Sequence, residues 1–189
     1  YKEKFEKMRI AGRLAANTLD MLTENIKDGV STDFIDKLGY EFIRDNGGYS
    51  APQYYRGFTK SLCTSLNHVV CHGIPSDRIL RDGDAINVDV TAIVDEHYGD
   101  TSRMFSVGKT SVKLNNLIDT TYESMMRAIE ILKPGIRLGD IGYEIQSFVE
   151  EKGFSVVRDF CGQGISTTFH EPPNILHYGN KNSGMDLRP

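Results

Sequence analysis

Residues 85–107 read Ala85-Ile86-Asn87-Val88-Asp89-Val90-Thr91-Ala92-Ile93-Val94, then Asp95-Glu96, then His97-Tyr98-Gly99-Asp100-Thr101-Ser102-Arg103-Met104-Phe105-Ser106-Val107. Alternation along the first run sends Ile86, Val88 and Val90 to one face and Asn87, Asp89 and Thr91 to the other. Two such runs around a short polar break predict an antiparallel hairpin, turning at Val94-Asp95. That turn sets Asp89 directly across from Asp100, with side chains about 5 Å apart. Two ionised carboxylates at that spacing repel by roughly 3 kcal/mol at an effective dielectric of about 20. A strand pair keeps them there only if one is protonated or a cation lies between them. Hard or borderline divalent metals are the usual cation. Two solvated aspartates at strand ends are the alternative, and the apolar partners Val88, Val90 and Phe105 weigh against it.

On the N-terminal side the period changes. Phe5, Met8, Gly12, Ala15, Leu19, Leu22 and Ile26 recur at three- and four-residue steps, one face of an amphipathic helix that Gly29 can end. Ser31 or Thr32 caps a second helix, which carries Ile35, Leu38, Phe42 and Ile43 and closes at Gly47-Gly48. Residues 61–73 read as extended. Past the hairpin, Leu114 to Leu132 return to helical spacing, stopped by Lys133-Pro134-Gly135. A further helix spans about Leu138 to Lys152, ends at Gly153, and a short strand, Phe154 to Phe160, leads into Cys161-Gly162-Gln163-Gly164.

A shift of 106 positions lays the second helical unit over the fourth: Gly29 on Gly135, Ile35 on Ile141, Phe42 on Phe148, Gly47 on Gly153. Any two amphipathic helices bounded by glycines align in part, so chance similarity is one reading. The other is a duplicated unit whose halves pack about a pseudo-twofold axis, with helices backing a curved, mainly antiparallel sheet in a single α/β (α+β) domain over residues 1–189.

Composition sets outer limits. The 189 residues suit one domain with a substantial core, and 39% hydrophobic and 25% charged residues are ordinary for a globular protein. A formal charge of −4 and no Lys/Arg block argue against nucleic acid as a partner. These residues show no apolar run of membrane-spanning length and no segment patterned as the basic head and apolar core of a signal peptide. Cys63, Cys71 and Cys161 have no zinc-finger spacing, and reduced thiols in a cytoplasmic protein are the expectation. His72 precedes a sharp turn in Cys71-His72-Gly73-Ile74-Pro75, and His170 follows the glycine-rich stretch; neither stands out alone. His68, His97 and His177 read as surface or packing residues.

Three segments together carry a resemblance. Ser65-Leu66-Asn67-His68-Val69-Val70-Cys71-His72-Gly73-Ile74-Pro75, Asn87-Val88-Asp89-Val90-Thr91 and Gly99-Asp100-Thr101-Ser102 resemble, in order and spacing, the motifs of type I methionine aminopeptidases. The resemblance implies the pita-bread fold with its pseudo-symmetric halves. It also implies two divalent ions (cobalt, manganese, iron or zinc) and a metal-bridging water that attacks the first peptide bond of nascent chains with a small second residue. Asp89 and Asp100 match the aspartate ligands. His72 matches the histidine that handles protons or charge at the scissile amide, and His170 the one that hydrogen-bonds substrate near the scissile carbonyl. Tyr55, Phe58, Cys63 and Phe169 fall where the family builds its methionine pocket, for which aromatic and thiol groups suit a flexible thioether.

Two departures matter. Gln163 stands where the family has a histidine ligand, and an amide carbonyl is a weaker donor than imidazole for these ions. The family also continues, past the position of Pro189, into strands bearing two glutamate ligands, so the fold expected here lacks its last strands. Of five usual ligand side chains the sequence offers two aspartates and Gln163, and poor metal binding is the expectation for these residues alone. The rival to an aminopeptidase is a catalytically inactive pita-bread protein that binds peptides or ribosome-associated partners. A monomer is the expected state.

Overall fold

The structure, a computed structural model, describes residues 2–188. Contacts divide the chain into two compact units, Tyr1–Ser111 with Ile165–Phe169, and Val112–Gly164 with His170–Pro189.

In the first unit, α1 (Lys2–Thr23) and α2 (Thr32–Asp45) pack on a four-stranded antiparallel sheet. Its strands are β1 (Tyr49–Ser50), β2 (Cys63–Leu66), β3 (Ala85–Val94) and β4 (His97–Ser106); β3 is central, paired with each of the other three. Ser31 caps α2, its hydroxyl accepting from Phe34 N at 3.1 Å, as the sequence suggests. Ile86, Val88, Val90 and Ala92 are fully buried and join Leu14, Ala15, Leu19, Leu22, Ile35 and Ile43 in one core. The buried stripe of α1 runs Ala11, Leu14, Ala15, Thr18, Leu19, Leu22, whereas Phe5, expected on that face, lies exposed ahead of it.

One close approach sets how the hairpin meets α1. A Cβ on Gly99 would lie 2.1 Å from Gly12 N and 2.3 Å from Ala11 C, so only glycine lets β4 press onto the helix there. Gly99 faces the core with its partner Ala92, which leaves the next residue, Asp100, on the opposite face.

The hairpin turns one residue later than expected. Asp95 and Glu96 form the turn, with φ +46° and +62°, and Val94 pairs with His97. Positive φ at both central residues is the two-residue geometry whose twist matches that of the flanking strands. Val94 stays in the strand because it packs on the core, and buried His97 sits with Nδ1 2.7 Å from the Asp95 carbonyl.

Residues 61–73 are not one extended segment. The strand stops at Leu66 because Asn67 adopts φ +53°, its amide donating to Asp84 Oδ1 at 2.8 Å and its carbonyl oxygen accepting from Ala85 N at 3.0 Å.

The second unit holds α3 (Val112–Glu130), α4 (Leu138–Glu151) and a two-stranded sheet of β5 (Gly162–Gly164) and β6 (Glu171–Ile175). The strand expected at 154–160 does not form. Phe154 N bonds back to Val149 O at 3.1 Å to close α4, and the ladder begins instead at Gly162. Helices α2 and α4 are both 14 residues long with both ends displaced by 106, and the glycines after them, Gly47 and Gly153, share φ +78°. Equal lengths and equal backbone at the following glycines favour duplication over chance similarity, although the N-caps, Ser31 and Arg137, differ.

Two alanine substitutions at the α1–β4 contact should have opposite signs. Gly99→Ala forces backbone apart and should cost about 1–3 kcal/mol. A Cβ on Gly12 meets open space, so Gly12→Ala should stabilise by about 1 kcal/mol through helix propensity. Urea unfolding of the two variants, read as midpoints at constant slope, checks both.

Candidate functional site

Asp89 and Asp100 project from the sheet face opposite the core, but not as a direct cross-strand pair. Asp89 lies across from Ser102, and Asp100 across from Thr91. The one-residue displacement of the turn moves the register by two, which preserves the face and makes the two acids diagonal neighbours. Their side chains still share a hydrogen bond, and Asp89 is pushed up to about 7, first by burial, then by the Asp100 charge and the bond to Asp100. One proton held between two carboxyls is the alternative to a cation that the sequence leaves open.

The neighbours of the pair are few and defined. Thr91 Oγ1 donates to Asp100 Oδ1 at 2.9 Å. On the other side of β3, Cys63 lies across from Asp89. The buried Cys63 thiol is pushed up to about 12, mainly by burial, with Asp89 the largest charge effect. Cys71 is raised too, by burial and then by Asp89. All three cysteines are free thiols.

His72 is brought to this strand pair by the residue after it. Thr64 N donates to Gly73 O at 2.8 Å, and Gly73 N to Ser65 Oγ at 3.1 Å. A Cβ on Gly73 would lie 2.1 Å from Thr64 O, so the loop docks on β2 only as glycine. His72, in left-handed backbone at φ +56°, is exposed beside the strand whose Cys63 faces Asp89.

The expected pocket residues fall into the same unit. Tyr55 opens a single 3₁₀ turn that ends with Phe58 N donating to Tyr55 O at 3.0 Å. Phe169 meets the Tyr55 ring edge-on, with centroids 4.9 Å apart. Its other contact was not anticipated. The ring of Tyr98 stacks on Phe169 at 5.5 Å and 18°, and Tyr98 N donates to Ser166 O at 2.9 Å. Tyr98 lies two residues before Asp100 on the same face of β4, and that spacing is the signal that could have found it.

Gln163 and His170 belong to the second unit. Gln163 pairs with Asn174, where the register shifts because β6 carries the extra residues Pro172 and Pro173, and His170 is exposed just before β6. Seven of the nine expected site residues thus share the first unit, with Asp89, Asp100 and Cys63 side by side on the sheet. The carboxyl pair fits a divalent cation by donor chemistry, since two hard carboxyl groups meet there in hydrogen-bond contact. It supplies two donors, and among the described residues no group of three His, Cys, Asp or Glu side chains stands ready to hold a metal.

The family model of metallopeptidase family M24 matches residues 6–189. The chain belongs to that family. Methionine aminopeptidase from Rickettsia prowazekii is 51% identical over 187 residues, which cover 99% of this chain and 72% of the relative. The methionine aminopeptidase of Escherichia coli K12 is 49% identical, with the same coverage. The crystal structure of the Rickettsia prowazekii methionine aminopeptidase superposes with a TM-score of 0.98 at 50% identity, covering all of this chain and 76% of that one. This M24 metallopeptidase therefore has the pita-bread fold, and by family it is a metalloexopeptidase of the methionine aminopeptidase type.

The acid pair gives the M24 chain a pH signature in the absence of metal. Because the fold raises Asp89, its protonated form is favoured in the native state. The stabilisation is complete below the ordinary aspartate value of 3.8 and is lost as pH rises to about 7. In chelator, urea midpoints should fall across that window, and Asp89→Asn should flatten the profile; an unchanged slope in the variant would assign the dependence to other groups.

Proposed function

We propose that this protein is a metal-dependent aminopeptidase that removes the initiator methionine from nascent proteins whose second residue is small. The observation that carries the reading is the Asp89–Asp100 pair, held in hydrogen-bond contact on the sheet face with Cys63 alongside. The motif match and the names of the relatives support the substrate class.

In this reading Asp89 and Asp100 hold divalent metal, two ions in the full site, with Gln163 in the remaining ligand position of this stretch. When bound, the metal supplies Lewis acidity at the scissile carbonyl and an activated water. His72 takes up or gives back a proton at the scissile amide, and His170 hydrogen-bonds the substrate near its carbonyl oxygen. Tyr55, Phe58, Cys63 and Phe169 enclose the methionine side chain; Phe169 is fixed between the Tyr55 and Tyr98 rings. A thiol that stays neutral offers the thioether a soft, uncharged wall. We read residues 1–189 as a single, incomplete catalytic domain of a monomeric cytoplasmic enzyme; among the described residues no helix is long and apolar enough to cross a membrane. One observation favours a second reading, an inactive relative that binds peptides or ribosome-associated partners: Gln163 is a poorer metal donor than histidine.

Methionine release from a Met-Ala-Ser peptide in manganese or cobalt separates the two. The enzyme reading expects release that chelator abolishes and that Gln163→His increases. His72→Ala should lower kcat by about 10²–10⁴-fold, the usual contribution of a proton-transfer group. A silent parent whose Gln163→His variant turns over would give the case to the inactive relative.

A further inference from the structure

We infer that Thr91 is a positioning residue for Asp100: its hydroxyl fixes the orientation in which that carboxylate meets a divalent cation. The inference rests on the reading of Asp89 and Asp100 as metal ligands and extends it to a side chain outside the ligand set.

Three observations carry it. Asp100 is exposed at the sheet surface, so packing alone does not select its rotamer. Thr91 lies directly across the strand pair, buried, and donates from Oγ1 to Asp100 Oδ1 at 2.9 Å. The bond occupies one of about four lone-pair sites on the carboxylate and leaves the others for Asp89 and a cation.

The donor is itself rigid. Thr91 sits in the central strand, its carbonyl accepting from Ala51 N at 2.9 Å on one side while β4 pairs on the other. A β-branched side chain there has little χ1 freedom. Nor is the bond a mere consequence of burying a hydroxyl in this sheet. Among the described residues Ser50 Oγ and Thr64 Oγ1 are buried with no hydrogen-bond partner, on the core side of neighbouring strands, so the fold tolerates unpaired hydroxyls. Thr91, on the face that carries the acids, has its partner in Asp100.

Calorimetric manganese titration of the full-length parent and its Thr91→Val and Thr91→Ser variants, with urea unfolding of each in chelator, tests this. Thr91→Val keeps the shape and removes the donor. It should weaken manganese binding by about 10–100-fold, while Thr91→Ser stays within about threefold of the parent. Metal-free unfolding midpoints should move little, which a purely structural role for the hydroxyl would not allow. Equal manganese affinity in parent and Thr91→Val overturns the inference, as does equal weakening in Val and Ser variants. If Thr91→Val does not fold, Thr91→Ala makes the same comparison against Ser. A parent that binds no manganese overturns the metal reading of the aspartates itself, a failure distinct from that of Thr91.

Discussion

Two carboxyls held in contact on a sheet face cannot both carry charge without a compensating cation, and much of the first unit is arranged around that constraint. The pair has to be aimed away from the core, on strands stiff enough to resist its repulsion. β3 provides the stiffness because it is hydrogen-bonded on both sides. Gly99 provides the aim, since the strand presses onto α1 only where no side chain intervenes, and Asp100 follows it on the far face. Cys63 closes the flank of Asp89 with a group that brings no charge of its own.

Much of this was legible in the residues because strand periodicity is strict. Asn87, Asp89 and Thr91 had to share a face, whichever residues made the turn, and a register error of two leaves that face intact. The helices were legible for the same reason: Ile35 and Ile43 mark a stripe, and Ser31 marks its start. The 106-residue shift is visible again in the fold, where α2 and α4 agree in length and in the backbone of the glycines that follow them.

What escaped the sequence depends on backbone conformations that no hydrophobic pattern encodes. Asn67 and His72 both enter the left-handed region, which breaks an apolar-looking run into a short strand and a docked loop. The β5–β6 ladder joins Gly162–Gly164 to a proline-containing run, neither of which looks like a strand in isolation. Tyr98 was passed over because its role is defined by Phe169, 71 positions away and brought near by the bond from Tyr98 N to Ser166 O.

The thiol of Cys63 has a consequence for the chemistry the site can survive. Electrophiles and oxidants attack the thiolate, and a group that ionises only near 12 presents almost none of it at neutral pH. Sulfur therefore lines the face beside Asp89 in a form that alkylating agents and peroxide largely pass over. A buried, neutral thiol gives that face a polarisable surface with little of the nucleophilicity of an exposed thiolate.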